Sequence, residues 1–150
     1  MTQKPLSPPH RNLPLLLLQA RESIFSRFRP LLNTAGLTEQ QWRVIRALLD
    51  HGPLEPRQIG DICCLSSPSL AGILARMDEM GLVDRERLDH DQRRVMVAVT
   101  AQGQTLASQL IPRIEATYAE LEAQIGTEFT RDLYQVLDEL MQRLEPDSDQ

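Results

Sequence analysis

"SSPSLAGILARMDEMGLVDRERLDHDQRRVMVAVTAQG", residues 66–103, decides the fold. In its first half Leu70, Ile73, Leu74, Met77 and Met80 recur at helical spacing. In its second half Val95-Met96-Val97-Ala98-Val99 is a short β-branched run behind a charged segment with two adjacent arginines. Gly81 divides the halves and suits a helix C-cap. The pattern predicts a helix over 67–80, capped by Ser67, with Pro68 at the first helical position, where a missing N–H does no harm. A hairpin then follows: a strand over 82–88, a loop over 89–93 and a strand over 94–100. A two-stranded hairpin alone is barely stable in water, so this one must lean on helices.

The rest of the chain reads as helix. Residues 1–12 hold Pro5, Pro8 and Pro9 without periodicity and read as a flexible arm. Residues 13–32 show Leu17, Ala20, Ile24, Phe25, Phe28 and Leu31 at helical spacing, with Pro30 expected to end or kink the helix. Thr38 and Gln41 form a capping box that opens a helix with Trp42, Ile45, Leu48 and Leu49 on one face. Gly52-Pro53 stops it, and a short helix from Pro56 to about Cys64 turns Ile59, Ile62 and Cys63 inward. Two long helices, about 102–124 and 128–144, close the chain, the first bent at Pro112. Their apolar residues run at near-heptad spacing with little else in the chain to bury them, which points to a dimer interface.

The chain has 150 residues, 41% of them hydrophobic and 25% charged, as in an ordinary soluble domain. The apolar run Leu13 to Leu18 is far too short to span a bilayer, and no cleavage site follows it, so neither a membrane anchor nor a signal peptide is expected. Cys63 and Cys64 are adjacent and are the only cysteines, which fits a reducing, cytoplasmic setting with both thiols as small core residues. A redox-sensing role for either remains open. The net charge of −5 argues against a nucleic-acid binder, but its distribution does not. Residues 115–150 hold ten acids and two bases; residues 1–114 hold fourteen bases and eleven acids. Fifteen of the sixteen bases are arginine, which suits bidentate recognition of phosphate or guanine.

Opposite the apolar stripe of the 67–80 helix stand Pro68, Ser69, Ala71, Gly72, Ala75 and Arg76. A solvated helix face normally carries Lys, Glu and Gln, and glycine there costs about 1 kcal/mol relative to alanine. Such a face lies either under another helix or against the major groove, where close backbone approach is an advantage. The short helix, tight turn and second helix make a helix-turn-helix, whose second helix reads base edges. Ser66, Ser67, Ser69, Gly72 and Arg76 are its candidate DNA contacts. The hairpin follows directly, so its tip can extend along the DNA. There Arg93 and Arg94 suit the negative potential of a narrow minor groove, and Asp91 is tolerable if it holds an arginine in place. The alternative for this tip is a solvated charged loop.

The order of helices, the Asp91-Gln92-Arg93 triplet before an apolar strand, Thr100 to Gly103, and the Arg76 and Gly81 positions together resemble the MarR family of transcriptional regulators. The resemblance spans about residues 13–145. Within the family, "NLPLLLLQARESIFSRFRPLL" and "GLTEQQWRVIRALL" are most similar to repressors of homoprotocatechuate and 4-hydroxyphenylacetate degradation operons. It implies a mainly α, winged helix-turn-helix homodimer: a lobe over 36–100 that binds a palindromic operator, dimerisation helices over 13–32 and 102–144, and a tail over 146–150. It also implies that the arginine at Arg93 enters the minor groove while the aspartate at Asp91 steadies the wing. Family wings are usually more basic, and this one carries Asp89 and His90, so a modest and strongly salt-dependent affinity is expected. The implied effector is a small aromatic acid such as 4-hydroxyphenylacetate or homoprotocatechuate, bound between the first two helices and the helix after the wing. Such a ligand needs a cation for its carboxylate and an apolar slot for its ring. Arg11, Trp42 and Arg85 are the candidates, against the alternatives that Arg11 is solvated in the arm and Trp42 fills the core.

Catalysis finds no support. Paired carboxylates at catalytic spacing, a metal-spaced His/Cys cluster and a phosphate loop are all missing from the sequence, and His10, His51 and His90 read as surface residues. No enzyme activity and no cofactor are expected. The competing reading is a winged-helix protein-interaction module that never touches DNA, supported by the acidic C-terminal part and the scant lysine.

Overall fold

The computed structural model describes residues 3–146; the first two residues of the arm and residues 147–150 of the tail lie outside it. The elements are α1 (Leu13–Phe25), α2 (Arg29–Thr34), α3 (Glu39–His51), α4 (Pro56–Cys63), α5 (Ser67–Glu79), β1 (Val83–Leu88), β2 (Asp91–Val99), α6 (Ala101–Ile125) and α7 (Thr127–Leu144). The fold is mainly helical with one antiparallel hairpin, a winged helix.

The helix expected over 13–32 is two helices. Arg27 and Phe28 donate backbone bonds to Ile24 and Phe25 at 3.2 and 2.9 Å, a tightened turn that ends α1. The break carries Phe28 into the core, where it is 7% exposed. Pro30 then falls in the first turn of α2, where its missing N–H leaves no bond unmade. The capping box that opens α3 is formed: Thr38 Oγ1 accepts from Gln41 N–H at 3.1 Å, and Gln41 Oε1 accepts from Thr38 N–H at 3.0 Å.

The helices α4 and α5 meet at 110°, the geometry of a helix-turn-helix. Ser66, not Ser67, caps α5, and Pro68 stands at the second helical position. That position also lacks an intrahelical acceptor, so the proline is equally harmless there. The turn needs one left-handed residue, and Cys64 supplies it (φ 54°). This swings Cys64 outward, so only Cys63 fills the core. Ile62 is also exposed rather than inward.

The strands pair from Val83↔Val99 to Arg87↔Val95, then jump to Leu88↔Asp91. The turn is therefore only Asp89-His90, and Gln92, Arg93 and Arg94 form a bulge in β2 without partners on β1. Leu54, between α3 and α4, adds a backbone bridge to Val97, with bonds of 3.0 and 2.8 Å. This third contact and the helices beneath supply the support that the hairpin lacks by itself.

Val44, Ile45, Ile59, Met77, Val83 and Val97 are the deepest side chains of a core shared by α3, α4, α5 and the wing base. Each such side chain contributes roughly 1.5–3 kcal/mol. The helix α6 runs unbroken through Pro112 and joins this core through Ala107, Leu110 and Ile114. Thr100 Oγ1 caps it, accepting from Gly103 N–H at 3.0 Å while donating to the Gly81 carbonyl at 2.6 Å. A Cβ at residue 103 would overlap the Leu82 carbonyl and the Val99 side chain, so glycine lets α6 press onto the wing base. By contrast α1 and α7 contain no buried residue.

Candidate nucleic-acid interface and effector cavity

The outer face of α5 is open. Ser66, Ser67, Ser69, Ala71, Gly72 and Arg76 are exposed, and nothing lies within 4 Å of a Cβ built on Gly72. The alternative in which this face packs under another helix of the same chain does not hold in the fold. Ser66 Oγ caps the helix by accepting from Ser69 N–H at 3.4 Å and donates to Ser69 Oγ at 2.9 Å. Arg76 is tethered only to exposed Glu79, at 3.3 Å. Arg57 of α4 and Arg85 of β1 line a groove of about 470 Å³ beside Ser67 and Ala71, with Leu65, Leu70, Leu74 and Val95 also in its lining. Arg57 was not apparent from sequence; its place in the turn before Ile59 is the only signal.

On the wing, Arg93 has a side chain 95% exposed. Asp91 Oδ1 accepts from Arg93 N–H at 3.1 Å and stands 3.6 Å from its Nε. The carboxylate thus shapes the turn from which the guanidinium projects. Arg94 is placed differently: its Nε donates to Glu55 Oε1 at 2.6 Å. Arg85 forks onto Asp78 Oδ2 at 2.9 and 3.0 Å, fastening β1 to the end of α5.

A second site lies between α1, α3 and α6, with Leu32 of α2 and Leu133 and Leu137 of α7 completing its wall. A cavity of about 400 Å³ is lined almost wholly by apolar groups, among them Leu17, Phe25, Phe28, Trp42, Ile114 and Tyr118. A smaller hollow of about 270 Å³ shares Phe25, Trp42 and Tyr118 and adds the charged side chains of Glu39, Arg43, Arg46 and Asp50 to an otherwise largely apolar lining. Trp42 lines both hollows. Arg11 lies outside both linings, in the exposed arm of residues 3–12. Arg85 is on the wing, against Asp78, and lines neither.

The arginines that do reach this site are Arg21, Arg43 and Arg46. Arg21 and Arg43 both pair with Glu39, and Arg43 also donates to the Cys63 carbonyl at 2.7 Å. Arg46 has Asp50 as its partner, one turn away and half-exposed. Tyr118 packs its ring 4.7 Å from that of Phe28. Burial, with Tyr134 adding to it, pushes the Tyr118 phenol above its ordinary value, so it remains a donor at neutral pH. The sequence carried a signal for both: Arg46 is four residues after Trp42, and Tyr118 continues the Leu110, Ile114 stripe of α6.

A model of the MarR family, described as such, matches residues 35–94. The homoprotocatechuate degradative operon repressor of Escherichia coli is 39% identical over 88% of this chain and 89% of its own length. The chain belongs to the MarR family. It is a transcriptional regulator and not an enzyme. Two solved structures agree in fold: the transcriptional regulator PA4135 at 42% identity, with a TM-score of 0.87 over 91% of this chain and all of that one; and NadR in complex with 4-hydroxyphenylacetate, at 38% identity, with a TM-score of 0.78 over 91% of this chain and 97% of that one. Among the described residues no single helix is long and apolar enough to cross a membrane.

Proposed function

We propose that the chain is a homodimeric repressor of an aromatic-compound catabolic operon, acting in the cytoplasm, which binds a palindromic operator and is released by a phenolic carboxylic acid. The observation that carries the DNA reading is the open, small-residue face of α5 beside the outward Arg93. Ser66, Ser67, Ser69, Gly72 and Arg76 meet the major groove, Arg93 the minor groove, and Arg57 the phosphates. The exposed apolar residues of α1 and α7, including Leu17, Phe129, Val136, Met141 and Leu144, pack against a second copy. In a helix-turn-helix dimer the recognition helices then address half-sites about 34–36 Å apart.

The effector reading rests on the shared Phe25, Trp42 and Tyr118 wall, with an apolar cavity on one side and arginines on the other. The ring of a phenolic acid such as 4-hydroxyphenylacetate or homoprotocatechuate fits the apolar side, and its carboxylate faces Arg46. Arg46 is the choice among the three arginines because its partner, Asp50, is the easiest to give up. The relatives named for homoprotocatechuate degradation and solved with 4-hydroxyphenylacetate support this ligand class. A ligand acts only by its differential affinity for two states, so the acid must favour a dimer whose recognition helices miss the half-site spacing.

Titrating each acid while following Trp42 fluorescence and release of a bound duplex tests the reading. Saturable quenching with release is expected, lost in Arg46→Ala and retained in Arg11→Ala. Release that is the same in Arg46→Ala removes Arg46 from the site. No response to any phenolic acid overturns the effector class.

A further inference from the structure

We propose that the Glu55–Arg94 ion pair is a positioning clamp that sets the wing against the helix-turn-helix for DNA binding. This goes beyond the DNA reading above and rests on it.

The backbone ladder leaves a gap, and at its Arg94 end this pair is what ties the strand down. The wing base is pinned by the Leu54–Val97 bridge and by the ladder up to Arg87↔Val95. Toward the tip the ladder is interrupted: Gln92, Arg93 and Arg94 have no paired residue on β1 before pairing resumes at Leu88↔Asp91. Of the three only Gln92 is tied to β1, its carbonyl accepting from Arg87 Nη1 and its Nε2 donating to the Leu88 carbonyl at 2.9 Å. In that stretch only side chains can fix direction. Glu55 is next to Leu54, immediately before α4, and its own N–H is held by Gln58 Oε1 at 2.9 Å. The carboxylate therefore stands on the first helix of the helix-turn-helix. Arg94 reaches it at 2.6 Å across 39 residues of chain.

Charge-assisted bonds of this kind are short and directional. The Arg94 guanidinium holds the Glu55 carboxyl below its ordinary value, so the pair is fully charged at neutral pH. Arg93 is thereby fixed from both sides, by Asp91 through its N–H and by the anchored Arg94 that follows it. The pair fastens the bulge at the point from which Arg93 leaves the protein.

A different role gives the opposite sign. If Arg94 were itself a phosphate contact, Glu55 would only compete with DNA for it and repel the phosphates. Removing Glu55 would then tighten binding and Arg94→Ala would flatten the salt slope by about one unit. For a clamp, Glu55→Ala weakens binding although it removes a negative charge, and neither variant changes the slope.

The test uses the full chain and a mixed-sequence duplex, with wild type, Glu55→Ala and Arg94→Ala compared over a range of salt. Amide hydrogen exchange of the wing is followed in the same free proteins. Expected are several-fold weaker binding in both variants, parallel salt slopes, and faster exchange confined to residues 91–97. Tighter binding by Glu55→Ala, a flatter slope in Arg94→Ala, or unchanged wing exchange overturns the clamp. A wild type without salt-dependent binding to any duplex overturns the DNA reading instead, and exchange still decides whether the pair holds the wing.

Discussion

The winged lobe and the terminal helices treat the same residue types in opposite ways. In the lobe, Val44, Ile45, Ile59 and Met77 are fully buried, and the polar outer face of α5 is the part left open. In α1 and α7, Leu13, Leu15, Leu18, Phe129, Val136 and Leu144 are exposed and no residue is buried. One region has completed its core within the chain. The other leaves its apolar residues uncovered. Exposed apolar area on this scale marks a surface made to be covered. On the proposed reading a second copy covers it.

The largest expected effect breaks the incomplete half. Truncation after Gly126 removes α7 and should yield a monomer or an insoluble chain, read by light scattering. An obligate interface resembles a divided core, so losing one face of it is not a local change. A stable, DNA-binding monomer from this variant contradicts the comparison. The complementary change strikes the complete half. Ile45→Ala empties a fully buried site and should cost about 2–5 kcal/mol in urea unfolding. If Ile45→Ala instead left stability untouched, the lobe would not be the folded unit described.

Smaller effects sharpen the division by leaving the fold alone. Gly72→Gln adds a side chain where nothing stands nearby, so circular dichroism should be unchanged. Operator binding should fall at least about tenfold, or about 1.4 kcal/mol, because the added side chain meets the groove. Unchanged binding by the folded variant would take α5 out of the groove. Smallest is Arg93→Ala, expected to weaken binding to all sequences and to flatten the salt slope by about one unit. Asp91→Ala should weaken binding too, since the bond to Arg93 N–H is lost; tighter binding would mean that Asp91 only repels DNA.

What the sequence disclosed follows the same line. Features set by near neighbours were legible: the Thr38–Gln41 box, the Thr100–Gly103 start of α6, the Asp91 bond to Arg93, and the small face of α5. Features set by distant contacts were not. The break before Phe28 depends on the core that receives Phe28, and Pro30 announced only that some interruption was near. The Arg94 pairing joins residues 39 apart in the chain, so Arg94 reads from sequence as a free cation. The apolar run beside Arg11 points to that residue as the effector arginine, but it lies in the exposed arm. The arginines that line the hollows beside Trp42 come from α1 and α3.

The most direct test of the central claim is the mass of the protein–duplex complex by native mass spectrometry, using a palindromic duplex selected by the protein itself. The account expects two chains of 17.1 kDa on each duplex, and the same pair of chains when DNA is absent. One chain per duplex, or a protein that is a single chain until DNA assembles it, would contradict the view that α1 and α7 are half of a core completed by a second copy.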